Sequence, residues 1–307
     1  MFGTAEPSSP KGAVFESPEP SRSRKCDGTS GVPEIRRRLG NTPSKAYIEG
    51  LNYTGSQNEI EEFFNWLKTL TKFRLKIVIA GNHDVLLHRD YYEKCWKRFH
   101  DKKYDADSMI VRLNDPLFRE EYGIIYLKDE SFTDPVTGWK FYGSPWQPAF
   151  GGWAFNLTRD SAEIRDVWSK IPLDTDILLT HGPPNTILDK TRSNMQAGCK
   201  ELLKRVSVVR PKLHVFGHIH EGYGQLKSNE TIFVNASVCN LGYQPTQAPI
   251  IVDLQNPISV ETTADENTRD RQQSMNISLD STSDLLKITV RLLAVVCFFI
   301  FLLFFFH

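Results

Sequence analysis

The sequence predicts a layered α/β domain, a sandwich of two mixed β-sheets flanked by helices, and three observations carry that expectation. Short runs of strand character alternate with amphipathic stretches through residues 46–260. Three of these runs, Ile77-Val-Ile-Ala-Gly-Asn-His-Asp84, Ile177-Leu-Leu-Thr-His-Gly-Pro-Pro184 and Leu213-His-Val-Phe-Gly-His-Ile-His220, pass from apolar strand directly into a turn bearing histidine. The far end of the region becomes mostly β. Alternation favours sheets covered by helices, and the closing run of strands favours mixed rather than purely parallel order.

Residues 1–45 are rich in Ser, Pro, Gly, Lys and Arg and hold few large apolar side chains. They bury too little surface to offset the entropy of ordering, so a disordered arm is expected, with Arg36-Arg37-Arg38 a solvated patch rather than an address. Residues 59–70 place Ile60, Phe63, Phe64, Leu67 and Leu70 at helical spacing, acids early and Lys68 late, as the helix dipole prefers. Strands are predicted at 76–80, 123–127, 139–143, 176–180, 213–217, 231–235 and 250–253, and further helices at 89–99, 161–170 and 198–208.

Residues 261–284 are dominated by Thr, Asn, Asp, Gln and Ser and predict a flexible polar stalk. Beyond it, 285–306 contains only Lys287 and Arg291 as charged residues and ends in Phe-Phe-Ile-Phe-Leu-Leu-Phe-Phe-Phe. A helix of roughly 19 residues just crosses a ~30 Å hydrocarbon layer if Arg291 snorkels to the headgroups. A single transmembrane helix is the expectation. Both cations precede the apolar run, so the positive-inside rule leaves the body of the protein in the cytosol, as a single-pass tail anchor. An all-round apolar helix inside a domain of this size lacks a core large enough to cover it. A cleaved glycolipid signal needs entry to the secretory route, and the N-terminal residues show no apolar leader.

Composition narrows the partners. Lys plus Arg and Asp plus Glu each number 37, so no basic field points to nucleic acid. Cys26, Cys95, Cys199, Cys239 and Cys297 are odd in number and form no C-x-x-C pair, which fits a reducing compartment rather than a disulfide frame. The sequons at Asn156 and Asn276 are then chance matches.

In the first histidine block glycine permits a tight turn, and Asn82 and His83 project from the loop. His181 ends the second strand, held between Thr180 and Gly182. His218 and His220, two apart on extended backbone, point to the same side. One block alone is as easily structural as functional. The three in this order resemble the calcineurin-like metallophosphoesterase superfamily, and Gly143-Ser-Pro-Trp-Gln-Pro148, Gly152-Trp-Ala-Phe-Asn156, Asn235-Ala-Ser237 and Ile250-Ile-Val-Asp253 resemble its animal metallophosphoesterase-domain-containing branch, over roughly residues 49–255.

The resemblance implies metal-assisted hydrolysis of phosphate esters, with phosphodiesters or nucleotides as substrates. It implies that Asn82, His181 and His218 hold one divalent ion, that His220 belongs to a second, and that His83 is the acid beside the leaving-group oxygen. Mn, Fe and Zn all suit such ligands. Paired ions lower the pKa of a bridging water and neutralise developing charge.

The pattern breaks at its start. The family opens with Asp-x-His and continues to Gly-Asp, whose aspartate bridges both ions. Aligned back from Gly55-Ser-Gln-Asn-Glu-Ile60, that pair falls on Glu49 and Gly50; no histidine precedes His83 and no aspartate lies between Asp27 and Asp84. An N-terminally incomplete domain holding one ion rather than two is therefore expected. A membrane-anchored phosphoesterase is the leading expectation, and a catalytically impaired binding or scaffold protein the alternative. His88, His100 and His214 fit no block and read as packing or surface residues. Trp146 and Trp153 read equally as pocket walls or packing, and Cys239 as a buried small residue rather than a nucleophile.

Overall fold

The computed structural model describes residues 54–255 and the strand backbones at 289–296 and 300–306. The expected arm at 1–45 and stalk at 261–284 lie outside the described residues.

Helix α1 (Gln57–Thr69) opens with a capping box: the Ser56 hydroxyl accepts from the Glu59 N–H and the Glu59 carboxylate accepts from the Ser56 N–H. Its buried face, Ile60, Phe63, Phe64 and Leu67, is the one the spacing predicts. The chain then enters β1 (Leu75–Ala80), whose six residues are all buried. Lys76 tolerates this because its ammonium donates to the carbonyls of Leu70 and Phe73, which follow α1.

β1 runs parallel to β2 (Ile124–Tyr126). The six-stranded second sheet has the order β3-β4-β7-β8-β10-β9, comprising β3 (Glu130–Thr133), β4 (Lys140–Ser144), β7 (Ile177–Thr180), β8 (Leu213–Phe216), β9 (Gly224–Ser228) and β10 (Thr231–Asn235). Its four central strands are parallel and both edge strands antiparallel. A short pair, β5 (Gln147–Pro148) and β6 (Asn156–Leu157), stands apart.

One apolar cluster joins the two large sheets: Ile77 and Ile79 of β1 meet Phe141, Leu179 and Val215 of the second sheet. Helices α5 (Ala162–Ser169) and α6 (Lys200–Val209) add Ile164, Trp168, Leu202 and Val206 to it. The sheets approach so closely at Gly143 that a Cβ there would lie 2.5 Å from the Leu127 Cβ and 2.7 Å from the Ile79 Cγ2. Only a residue without a side chain fits.

The sequence misses two helices, α3 (Ala106–Leu113) and α4 (Pro116–Tyr122), although Asp105 and Asp115 cap their N-termini through their carboxylates. The helix expected over 89–99 divides into α2 (Arg89–Cys95) and a 3₁₀ turn (Trp96–Arg98).

A larger correction concerns the tail. Where a transmembrane helix is expected over 285–306, the structure has two antiparallel strands, β12 (Thr289–Val296) and β13 (Ile300–Phe306). They complete the first sheet in the order β11-β12-β13-β1-β2, with β11 at Ile250–Gln255. Among the described residues no helix is long and apolar enough to cross a membrane. A continuous apolar run is as much the signature of a strand covered on both faces as of a lipid-facing helix, and Val, Ile and Phe favour the extended form. β1 thereby gains a hydrogen-bonded neighbour on its second edge, with Leu75 to Ala80 paired to Phe305 to Ile300.

Candidate metal centre

The three histidine blocks end β1, β7 and β8, neighbouring strands of the two facing sheets, and their turns converge at the C-terminal strand ends. Hydrogen bonds lock them. The Gly217 N–H donates to the His181 carbonyl at 2.9 Å, and the Ala154 N–H donates to the Asn82 carbonyl at 3.2 Å. The Asn82 side-chain oxygen accepts from the His181 Nε2–H at 2.7 Å, with both residues buried. The rings of His181 and His218 lie 4.8 Å apart. His218 is held at φ 68°, a left-handed conformation unusual for a residue with a side chain, and this strain sits at the site itself.

Burial sets the protonation. Burial, then the neighbouring His218, His83 and His220, drives the His181 pKa far below the ordinary histidine range. Burial, then His220 and His83, push His218 down to about 3. Burial also lowers His220, against the pull of the Asn240 carbonyl and Glu221. The cluster is therefore neutral at pH 7, the form in which imidazole ligates metals. His220 donates Nδ1–H to the Asn240 carbonyl at 3.1 Å, which leaves the lone pair on Nε2, as in histidines whose far nitrogen is held by an outer partner.

The structure places Asn82 against His181 and His181 against His218, with His220 near enough to act on both imidazoles. Neutral imidazoles with an amide oxygen are a donor set of the kind that would hold a divalent ion. Among the described residues no three His, Cys, Asp or Glu side chains form a group placed to hold a metal ion. The nearby carboxylate, Asp84, is fully buried and turned back onto its own loop, accepting from the Gly81 N–H at 2.6 Å. Burial raises its pKa well above the usual range, opposed by that hydrogen bond and reinforced by Glu59, so it favours the neutral form. Glu49 and Gly50 lie outside the described residues.

Two supporting residues have roles that the motifs do not state. His214, fully buried on β8, bonds through Nε2 to the Thr180 hydroxyl at 2.8 Å, and that hydroxyl donates its single proton to the Gly182 carbonyl. Thr180 must then accept, so His214 carries its proton on Nε2 and braces the turn on both sides of His181. Its apolar strand context hides this role. Replacing His214 with Phe, which keeps the ring but loses the donor, should weaken ion binding by about 10- to 100-fold in a calorimetric titration while the far-UV spectrum stays unchanged. Asn235 is the second. Its amide donates to the Leu188 carbonyl at 3.1 Å and the Ile219 carbonyl at 2.8 Å, clamping the 183–199 loop to the His218–His220 turn. Gly222 lets them meet, since a Cβ there would sit 1.9 Å from the Leu188 oxygen.

The other candidates separate. Trp146 is packing: its indole N–H donates to Asp129 at 2.7 Å and its ring stands edge-on to His88 and Phe155. Trp153 instead lies against His83, ring centroids 4.1 Å apart. Cys239 is buried, as expected, and His100 packs against Tyr92, its Nδ1 bonded to the phenol oxygen at 2.9 Å.

A model of the Calcineurin-like phosphoesterase family matches residues 49–222. Metallophosphoesterase domain-containing protein 1 of Homo sapiens and that of Mus musculus are each 43% identical over 209 residues, which is 66% of this chain and 62% of theirs. A UPF0046 protein of Caenorhabditis elegans is 36% identical over 209 residues, 65% of this chain and 51% of its own. The chain thus spans less than two thirds of these relatives' length. Histidine-bearing turns at the ends of adjacent strands and a match across 49–222 agree: the chain belongs to the calcineurin-like phosphoesterase family, in the branch of the animal metallophosphoesterase-domain-containing proteins.

Proposed function

We propose that the protein is a metal-dependent phosphoesterase that hydrolyses phosphate esters, phosphodiesters foremost, with one divalent ion held by Asn82, His181 and His218. The observation that carries this reading is the convergence of three neutral, prelocked donors at the strand ends inside a phosphoesterase family match. When bound, the ion polarises the phosphoryl oxygens and lowers the pKa of a water. The protein's own contribution is positional. The Asn82–His181 bond and the His214–Thr180 brace hold the donors without reorganisation, and burial keeps the imidazoles neutral. His220 stands beside this set, oriented by the Asn240 carbonyl, with a lone pair rather than a proton on Nε2. His83, on the same turn as Asn82, donates a proton to the departing oxygen. Zn and Fe accord with an imidazole-rich, carboxylate-poor set better than Mn does.

The test is to purify the full chain, count metal per chain, and assay methyl phenyl phosphate, whose phenolate needs a proton as it leaves, beside a His83→Ala variant. About one ion per chain and turnover falling by about 10² or more in the variant are expected. Turnover indistinguishable between the two would sink the enzymatic reading, and two ions per chain the single-ion reading.

A further inference from the structure

We propose that the loop from Ala149 to Phe155 is a positioning element for His83, acting through the indole of Trp153 and anchored by Arg98; the inference rests on the phosphoesterase reading for its catalytic consequence, but not for the contact itself.

Four observations converge on it. The Trp153 ring lies 4.1 Å from the His83 ring at 36°, with Phe99 5.2 Å away backing the indole, so the imidazole belongs to a short ladder of rings. The loop backbone is joined to the same turn, since the Ala154 N–H donates to the Asn82 carbonyl at 3.2 Å. The Phe155 N–H donates to His88 Nδ1 at 2.9 Å, and His88, pushed down to about 4 by burial and by Lys128, stays neutral to accept it. From the outside the Arg98 guanidinium donates to the Gly152 carbonyl at 2.8 Å and the Gly151 carbonyl at 3.1 Å, and the Tyr91 hydroxyl donates to Gly152 at 2.5 Å.

The consequence is geometric. A proton donor aids departure only if its nitrogen stays within hydrogen-bond reach of the leaving oxygen, and an imidazole on a partly exposed turn samples several rotamers. A flat indole against one face removes those that swing the ring away. Trp153 need not touch the substrate to do this. Arg98, whose donated bonds all run to the loop backbone, is a handle on the device remote from the donors.

The experiment compares two esters of methyl phosphate on the full chain, one leaving as 4-nitrophenolate, which needs little protonation, and one leaving as phenolate, which needs more. Trp153→Ala should lose about tenfold or more in kcat on the phenyl ester and under about threefold on the nitrophenyl ester, with Trp153→Phe restoring most of the loss. Arg98→Ala should follow the same ester dependence with smaller amplitude. In parallel, NMR of ring-labelled histidine, with His83 assigned from the His83→Ala spectrum, should show its resonance displaced by the indole ring current and returned to the solvent-exposed position in Trp153→Ala. Equal loss on both esters, or a His83 resonance indifferent to Trp153, overturns the proposal. A displaced, Trp153-dependent resonance in a wild type that cleaves neither ester sinks the phosphoesterase reading and leaves the positioning contact established.

Discussion

Replacing His181 with alanine abolishes ion binding and lowers phosphodiester hydrolysis by about 10³-fold or more, the expected loss when a central member of a cooperating set is removed. Of the donors, His181 is the one tied to all the others. It bonds to Asn82, lies 4.8 Å from the His218 ring, and fixes the Gly217 turn through its backbone carbonyl. The variant leaves Asn82 and His218 without the ligand between them. The fold should survive, because the backbone carbonyl still accepts from Gly217 and the core beneath is untouched. A stability measurement against pH separates site from scaffold. The folded pKa values of His181 and His218 lie below the ordinary ~6.5. The unfolded chain therefore binds more protons over that interval, and wild-type stability falls as pH drops from ~6.5 towards about 3, where His218 titrates in the fold. His181→Ala should flatten part of this slope and improve relative stability near pH 5. Retained ion affinity in His181→Ala would show that the donors lie elsewhere.

The parts of this molecule that were legible in the sequence share a cause. β1, β7, β8 and β10 are short apolar runs bounded by Gly, Pro or Asn, and where such a run meets His or Asn the strand end and the donor are read together, so Asn82, His83, His181, His218 and His220 all emerged before any geometry. α1 was legible because its apolar period and its capping box agree. What escaped depends on context that lies far along the chain. His214 looks like a stray polar residue in a strand until Thr180, 34 positions away, is placed beside it. Trp153 and Trp146 are equivalent as letters, and only the loop path sends one to His83 and the other to Asp129. The tail, expected as a helix and found as strands, differs for another reason. Length and hydropathy describe how much surface an apolar run must hide, not whether lipid or a neighbouring strand hides it, and the open edge of β1 that takes β13 lies more than 200 residues earlier.

The same two-sheet architecture predicts where the scaffold is most vulnerable. Arg74, at the entry to β1, meets Asp134, in the turn between β3 and β4, through two parallel bonds of 2.9 and 2.6 Å. The carboxylate is fully buried, and it also accepts from the Thr137 hydroxyl at 2.5 Å and the Val136 N–H at 3.2 Å. Burial alone would raise the Asp134 pKa; the hydrogen bonds from Arg74, Thr137 and Val136 together outweigh it and hold the pKa below the usual value. Arg74→Met keeps much of the side-chain bulk and strands the buried charge, for which the expected cost is about 3 kcal/mol, at the low end for a broken buried pair because the guanidinium is partly solvated. For a domain of this size that lowers Tm by roughly 6 to 12 °C in calorimetry. Arg74→Met with Asp134→Asn should recover part of the loss, since the amide oxygen still accepts from Thr137 while no charge is left unpaired. The pH dependence has a definite sign. A carboxyl whose folded pKa is depressed contributes fully above its unfolded value of ~3.9 and loses that contribution as pH falls through the folded one. Loss of Arg74 lets burial raise the Asp134 pKa in the variant, so the gap between wild type and Arg74→Met should be widest at pH 8 and narrow as pH falls through that raised value and on into acid. A gap unchanged down to strong acid would assign the loss to packing, and a double variant no better than the single would show that the pair holds the sheets together through shape rather than charge.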